Sequence, residues 1–358
     1  MAHLDVTDWN DLQATNATNE KRKSQLGIVD AVKDSTPATS EYISPSSVAA
    51  LREASSLRNV QIPVLKDQTV SVVTTPGFNF IPSNLPESDQ YSFTAVDVFS
   101  GFRHYPAQYA NNAIDADWAK KEVMGNVAYE MGKTVEGILA TTLSNRKTQV
   151  LGFTEQVSAT SGDYNFNTGT DLLEIKKAAQ EETMFFSLEN LMQANELGGQ
   201  YRIVTNRAGL ARQKAEALKY GANNEQNKQA LGFFGADRMY ESGTITTSAK
   251  FDGYLLRDGA IGIIENHPHD FRAGTNFAGK NWSITDMELP WARMRANVYT
   301  NNEATEATAL VSAGTDSNLI MTHFSEMAIW LRFYIVYRYN SDLATRANDI
   351  VKVQGLTS

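Results

Sequence analysis

The sequence predicts an α+β fold, and three observations lead there. A proline-free run from Asn112 to about Asn145 carries apolar residues mainly at intervals of three and four, the period of a helix face. The preceding stretch, Asn59 to Pro106, is rich in β-branched and aromatic residues and punctuated by Pro and Gly, the texture of strands and turns. Beyond the long helix, shorter helix-like and strand-like runs alternate as in a compact mixed region.

The elements follow in order. From Thr7 to Ser40 the chain is dominated by Thr, Asn, Ser, Asp and Lys, with a basic cluster at Lys21, Arg22 and Lys23. So polar a segment does not bury enough surface to fold alone, and it reads as an extended arm. Ser46 to Leu57 fits one short helix capped by Ser46 or Ser47. Asn59 to Pro106 reads as a long two-stranded excursion with a Pro/Gly-rich tip, and Pro63, Pro76, Pro82 and Pro86 suit edges and turns. An isolated hairpin is marginal in water, so the excursion is expected to need support from outside the monomer. Its tip carries Phe78, Phe80 and Ile81 between turn residues, which makes them candidates for an intersubunit contact. Arg103, near its far end, joins Lys21, Arg22 and Lys23 as a charged interface candidate.

The long helix is expected to turn Trp118, Met124, Val127, Met131, Val135 and Ile138 toward a core. Asp115 and Asp117 near its start and Arg146 and Lys147 at its end suit the helix dipole. Gly125, Gly132 and Gly137 weaken the helix and point to close packing or bending. Further on, Asp171 to Gln180 reads as a helix with Asp171 and Glu174 as a capping pair, and Leu188 to Leu197 as a second helix. Tyr201 to Thr205 reads as a buried strand, and Asn206 opens a helix that Gly221 stops. Gly243 to Ile264 alternates strands with Asp-Gly turns, Trp291 to Thr300 is a half-exposed strand, and Ile329 to Tyr339 is an aromatic strand.

Composition narrows the function. The 358 residues carry 32 Lys and Arg against 41 Asp and Glu, a net charge of −9. That balance argues against a broad nucleic-acid-binding face, which needs cations to neutralise phosphates. No cysteine is present, so disulfides, thiolate metal sites and cysteine nucleophiles are all excluded. No apolar run approaches the roughly 18 residues of a membrane span, and Met1 to Asn10 lacks a signal-peptide core.

Catalytic signals are weak. His267-Pro268-His269, with Asp270 and Glu265, imitates a metal site, but Pro268 places both rings on an extended loop without a third ligand at helix spacing. Asp163, Asn165, Asn167, Asp171 and Glu174 match places one, three, five, nine and twelve of a calcium loop, yet place six is Thr168 and the glycine comes one residue late. There is no nucleophile elbow, phosphate loop or zinc-protease helix. No cofactor, metal or catalytic residue is expected.

The order of parts, a polar arm, a Pro/Gly-rich β excursion, a long helix and a compact α/β region, resembles the HK97-type major capsid protein of tailed bacteriophages. The resemblance covers nearly the whole chain and rests on architecture rather than on one motif; Arg257 to Ile264 and Trp291 to Tyr299 share the texture of late segments in such coat proteins. It implies an HK97-like capsid fold with an N-terminal arm (1–45), an E-loop region (46–111), a P-domain with its spine helix (112–169), an A-domain (170–281), a return to the P-domain (282–312) and a C-terminal strand region assigned to the A-domain (313–358).

It also implies a self-assembling structural protein of the icosahedral head, with copies of itself in hexamers and pentamers as partners. The resemblance carries no enzyme activity and no cofactor. The shell would enclose double-stranded DNA without sequence-specific binding, would touch no membrane, and would be assembled in the host cytoplasm before residing in the virion. A 45-residue arm leaves no room for a cleaved scaffolding segment, so a separate scaffolding protein is expected, together with a portal; the resemblance leaves open whether decoration proteins bind. Lys66 falls in the implied E-loop, but no crosslinking partner for it is identified. The alternatives are an encapsulin-like shell of a bacterial compartment, an α/β enzyme of unrecognised type, or another virion component such as a tail protein.

Overall fold

The computed structural model describes residues 25–35, 43–53, 59–65, 88–105, 116–152, 157–158, 162–180, 184–195, 197, 200–220, 238–245, 250–266, 276–277, 280–309, 319–337 and 347–357. Helix α1 spans Gly27–Asp34 and α2 spans Pro45–Glu53. Strands β1 (Asn59–Leu65) and β2 (Ser88–Thr94) form an antiparallel ribbon, and β3 (Val96–His104) follows after one residue. Helix α3 (Ala116–Arg146) is the long one. Next come β4 (Val157–Ser158), β5 (Tyr164–Asn167), β6 (Leu172–Ile175), α4 (Lys177–Gln180), α5 (Met184–Ala194), β7 (Tyr201–Thr205) and α6 (Arg207–Tyr220). The remaining strands are β8 (Met239–Glu241), β9 (Asp252–Arg257), β10 (Ile261–Asn266), β11 (Asn276–Phe277), β12 (Lys280–Asn281), β13 (Ser283–Leu289), β14 (Met294–Ala309), β15 (Leu319–Tyr337) and β16 (Ile350–Gly355).

Two large sheets organise the chain. In the first, β15 is central: β3 pairs along one edge, while β14 and β10 share the other, and β13 extends the sheet beyond β14. At ~3.3 Å per residue the 19 residues of β15 span roughly 60 Å. The second sheet has the order β4-β5-β6-β16-β9-β7-β8, with parallel pairs β4/β5, β6/β16 and β7/β8 among antiparallel ones. Alternation sets the faces. On β3, Val98 points inward while Asp97 and Phe99 face out.

The largest core lies between α3 and the first sheet. Met124, Ala128, Met131, Val135, Leu139 and Leu143 recur at three and four on α3, and they meet Met294, Ala296 and Val298 of β14 and Met327, Ile329 and Leu331 of β15. Arg146 ends the helix against Tyr337, its guanidinium donating to the phenol at 2.7 Å, and Asn348 donates to the Arg146 carbonyl at 2.5 Å. A second core lies on the other large sheet, where Leu188 and Met192 of α5 pack on Leu173, Ile203, Leu255 and Val353. Asn206 caps α6, its side-chain oxygen accepting from the Gly209 amide at 3.1 Å.

Several expectations are corrected. Residues 27–34 are a helix buried in the main core and not a free arm: Leu26, Ile28, Val29, Ala31 and Val32 are all buried. The two-stranded excursion ends at Thr94, since β3 leaves the ribbon to pair with β15. Its base is supported by its own chain, where Ile62, Val64 and Phe93 pack with Ile43, Leu51, Ile264 and Tyr334. Asp171 and Glu174 cap no helix. They lie in the turn and the second strand of a β5–β6 hairpin, where Asp171 adopts φ 54° and Asn167 donates to Glu174 at 3.1 Å, so strand pairing wins over the helical reading. The stretch 313–358 does not form one region: β15 lies in the first sheet, because its apolar face covers α3, and β16 lies in the second. For the same reason β10, within 170–281, belongs to the first sheet.

Candidate functional site

The most chemically distinctive place in the structure is the seat of α1. Leu26 makes an antiparallel bridge with Ser242, and the Gly243 amide donates to the Gln25 carbonyl at 3.2 Å. The Tyr129 hydroxyl of α3 donates to the Gln25 side chain. Gly27 then passes against β8 so closely that a Cβ would lie 2.1 Å from the Glu241 carbonyl oxygen. Gly132 of α3 forms the matching notch, where a Cβ would meet Leu26 Cδ1 at 2.9 Å. Of the three glycines in α3, this one has a packing reason, whereas at Gly137 the space is open.

Both ends of α1 are held by polar side chains from other elements. At its N-terminus stands Glu136 of α3, fully buried. Its Oε1 accepts from the Ile28 amide at 2.9 Å and from the Ser242 hydroxyl at 2.5 Å, and its Oε2 accepts from the Val29 amide at 2.8 Å. An anion here meets the positive end of the helix dipole. Burial nevertheless dominates and pushes the carboxyl up to about 7, with Asp30 adding repulsion and the three hydrogen bonds opposing. At the C-terminus, Arg202 of β7 donates to the Asp34 carbonyl at 2.5 Å and to Asp258 at 2.7 Å. Asp34 also accepts from Tyr240 at 3.0 Å and from Arg293 at 2.5 Å. Burial opposes ionisation of Asp34, but the bonds from Arg293 and Tyr240 outweigh it and hold the carboxyl below its ordinary value. Lys33 pairs with Glu265 of β10.

The residues singled out in the sequence are dispersed. Lys21, Arg22, Lys23, Phe78, Phe80 and Ile81 lie outside the described residues, as do Lys66, His267 and His269. Arg103 is half exposed at 52%, bonded to Glu326 at 3.1 Å and stacked 5.0 Å from the Phe324 ring centre. On α3, Met124, Met131 and Val135 are buried, Val127 and Ile138 flank them, and Trp118 is 61% exposed. Phe99 of β3 is 68% exposed. A groove of about 320 Å³ runs between β3 and α3, with Asp97, Phe99, Glu130 and Ile138 on its walls. The residues at calcium-loop spacing are taken up by the β5–β6 hairpin, where Asn167 also accepts from the Gly169 amide at 3.0 Å. Among the described residues no group of three or more acidic or histidine side chains is placed to hold a metal. No described helix is long and apolar enough to cross a membrane.

Glu136 was not singled out by the sequence reading, although a signal exists. It stands four residues after Gly132 and eight after Ala128, on the apolar side of a helix on which Glu122 and Glu130 are exposed. A lone acid on such a stripe needs a partner, and the partner is the amide end of α1.

No protein-family profile and no curated protein matches the chain. Solved structures similar in chain path include one from Mycobacterium phage Che8, with 11% identity over 84% of this chain and 85% of that one at a TM-score of 0.42. Another is the capsid structure of the cyanophage P-SCSP1u, with 12% identity, 86% of each chain covered and a TM-score of 0.43. A third is the mature capsid of bacteriophage PhiM1, with 9% identity, 84% and 83% covered and a TM-score of 0.40.

Proposed function

We propose that the chain is a major capsid subunit of HK97 type, which self-assembles into the head shell of a tailed phage. The observation that carries the reading is the succession of parts in one chain: the β1–β2 ribbon, its direct continuation into β3 on the long strand β15, and the 31-residue α3 laid on that sheet. In this reading the ribbon and the residues between its strands are the E-loop. Helix α3 with the β15-centred sheet is the P-domain, and the other sheet with α5 and α6 is the A-domain. The arm expected over 1–45 is interrupted by α1, which is seated in the main core.

The protein then works by burying surface against copies of itself in hexamers and pentamers, without catalysis, cofactor or membrane. A separate scaffolding protein and a portal complete the particle, and the net charge of −9 suits a wall that holds DNA without gripping it. The test is co-expression with the scaffolding partner, followed by light scattering and negative-stain microscopy. Megadalton icosahedral shells are expected. A protein that stays monomeric under every such condition sinks the reading.

A further inference from the structure

We propose that α1 is a proton-linked latch: Glu136 holds the segment 25–35 in its seat between α3 and β8, and loss of the proton from its carboxyl loosens that seat. The inference concerns the unassembled chain and does not depend on the capsid reading.

The geometry is that of a plug and not of a surface helix. Residues more than a hundred positions apart in sequence build the seat, with Gly132 and Glu136 on one wall and Glu241 and Ser242 on the other. Leu26 fills the Gly132 notch, and Gly27 has no room for a side chain. At the C-terminal end the charges are balanced: Asp34 meets Arg293 and Arg202 serves both Asp258 and the Asp34 carbonyl. At the N-terminal end they are not. Glu136 makes no ion pair with any described cation, and the charge facing it from α1 is Asp30, itself 3.9 Å from Arg293. From the residue that follows β8 it faces the neutral Ser242, and on its own helix Lys133 is turned out to Glu130 at 3.1 Å. An ionised Glu136 is therefore a buried negative charge satisfied only by two amides and a hydroxyl. A protonated Glu136 keeps both amide bonds, and its hydroxyl donates a hydrogen bond to the Ser242 oxygen in place of the one it accepts when ionised.

Linkage sets the sign. With α1 seated, Glu136 releases its proton near pH 7; exposed by release of α1, it does so near its ordinary 4.5. The seated form holds the proton more tightly, so the seat is strongest below pH 4.5, weakens as pH rises toward 7 and levels above it. Two pKa values of 4.5 and about 7 raise the open fraction of the latch about 30-fold between pH 5.5 and 8.5.

The experiment is amide hydrogen exchange by mass spectrometry on the full-length, unassembled subunit at pH 5.5, 7.0 and 8.5, with labelling times scaled for base-catalysed chemistry. Peptides covering 25–35 should lose protection about 30-fold over that range, while peptides from 329–335 of β15 hold theirs. Glu136→Gln should flatten the pH dependence at 25–35. Asp30→Asn removes the repelling charge without touching the bonds to Glu136, so it should shift the rise to lower pH and shrink its amplitude; it keeps the test available if Glu136→Gln fails to fold. Protection at 25–35 that is independent of pH, or equal loss at 329–335, overturns the latch. So does an unshifted profile in Asp30→Asn.

Discussion

Helix α1 and the β1–β2 ribbon invite a similar first judgement: the sequence reads the first as part of a polar arm that does not fold alone and the second as an excursion that needs support from outside the monomer. They turn out to differ in kind. The apolar residues of α1 are inserted into the main core, where Leu26, Ile28, Val29 and Val32 are each worth ~1.5–3 kcal/mol of burial. Its ends are bonded to α3, β7 and β8. The ribbon rests its base on a smaller cluster with α2, β10 and β15, and alternate residues such as Gln61, Pro63, Ser92 and Thr94 stay in solvent. What decides dependence on the rest of the molecule is whether a segment's few apolar groups converge on one seat, and that is a property of tertiary geometry, not of local composition.

The sharpest way to break the comparison is to deny α1 its seat. Gly27→Ala puts a Cβ 2.1 Å from a backbone carbonyl that cannot rotate away, so a substitution that favours an isolated helix should here cost about 3 kcal/mol or more. Urea denaturation of the unassembled subunit measures it. A loss below about 1 kcal/mol contradicts the tight seat. In the ribbon, Ile62→Ala removes a buried side chain from a cluster that can partly collapse, and about 2 kcal/mol is expected. Hydrogen exchange should locate that loss in 59–65 and 88–94 and leave 25–35 protected; equal loosening of both segments would merge what the structure keeps apart. Gly137→Ala is the counterpart of Gly27→Ala. Nothing lies within 4 Å of the added Cβ, and a gain of about 0.5–1 kcal/mol follows from helix propensity alone.

The contrast also marks what the sequence can disclose. The long helix was legible because its signal is local and repeated: apolar spacing over some thirty residues, with no proline, foretold Asn112–Asn145 against the observed Ala116–Arg146. The strands at 59–65 and 201–205 and the cap at Asn206 were legible for the same reason. Helix α1 was not, because Ile28, Val29 and Val32 sit in a polar stretch and the apolar partners they pack with come from distant parts of the chain, α3, β14 and β15. The β5–β6 hairpin was misread because Asp171 and Glu174 fit a helix start as well as a turn, and only pairing between Tyr164 and Ile175 decides it. Glu136 combined both difficulties: its place on the stripe was visible, but the amides that justify it belong to a segment read as an arm.

The smallest expected effect on the subunit is the one that bears most on assembly. Among the described residues Phe99 and Trp118 are the large apolar side chains left most in water, the first on the outer face of β3 and the second in the first turn of α3. Neither belongs to a core cluster, so Phe99→Ser and Trp118→Ser should each move the urea midpoint by no more than about 0.5 kcal/mol equivalent. In a shell subunit such groups have a use only when a second copy covers them, and burying each then contributes ~1.5–3 kcal/mol per contact, repeated by symmetry over the whole particle. Shell yield of the double variant should therefore fall steeply while the free subunit unfolds as before. If shells form at the parent yield, these two side chains lie outside the subunit contacts. If instead the free subunit loses several kcal/mol, they pack within the chain in solution, and the division between a self-sufficient α1 seat and surfaces completed by neighbours has to be redrawn around β3 and the start of α3.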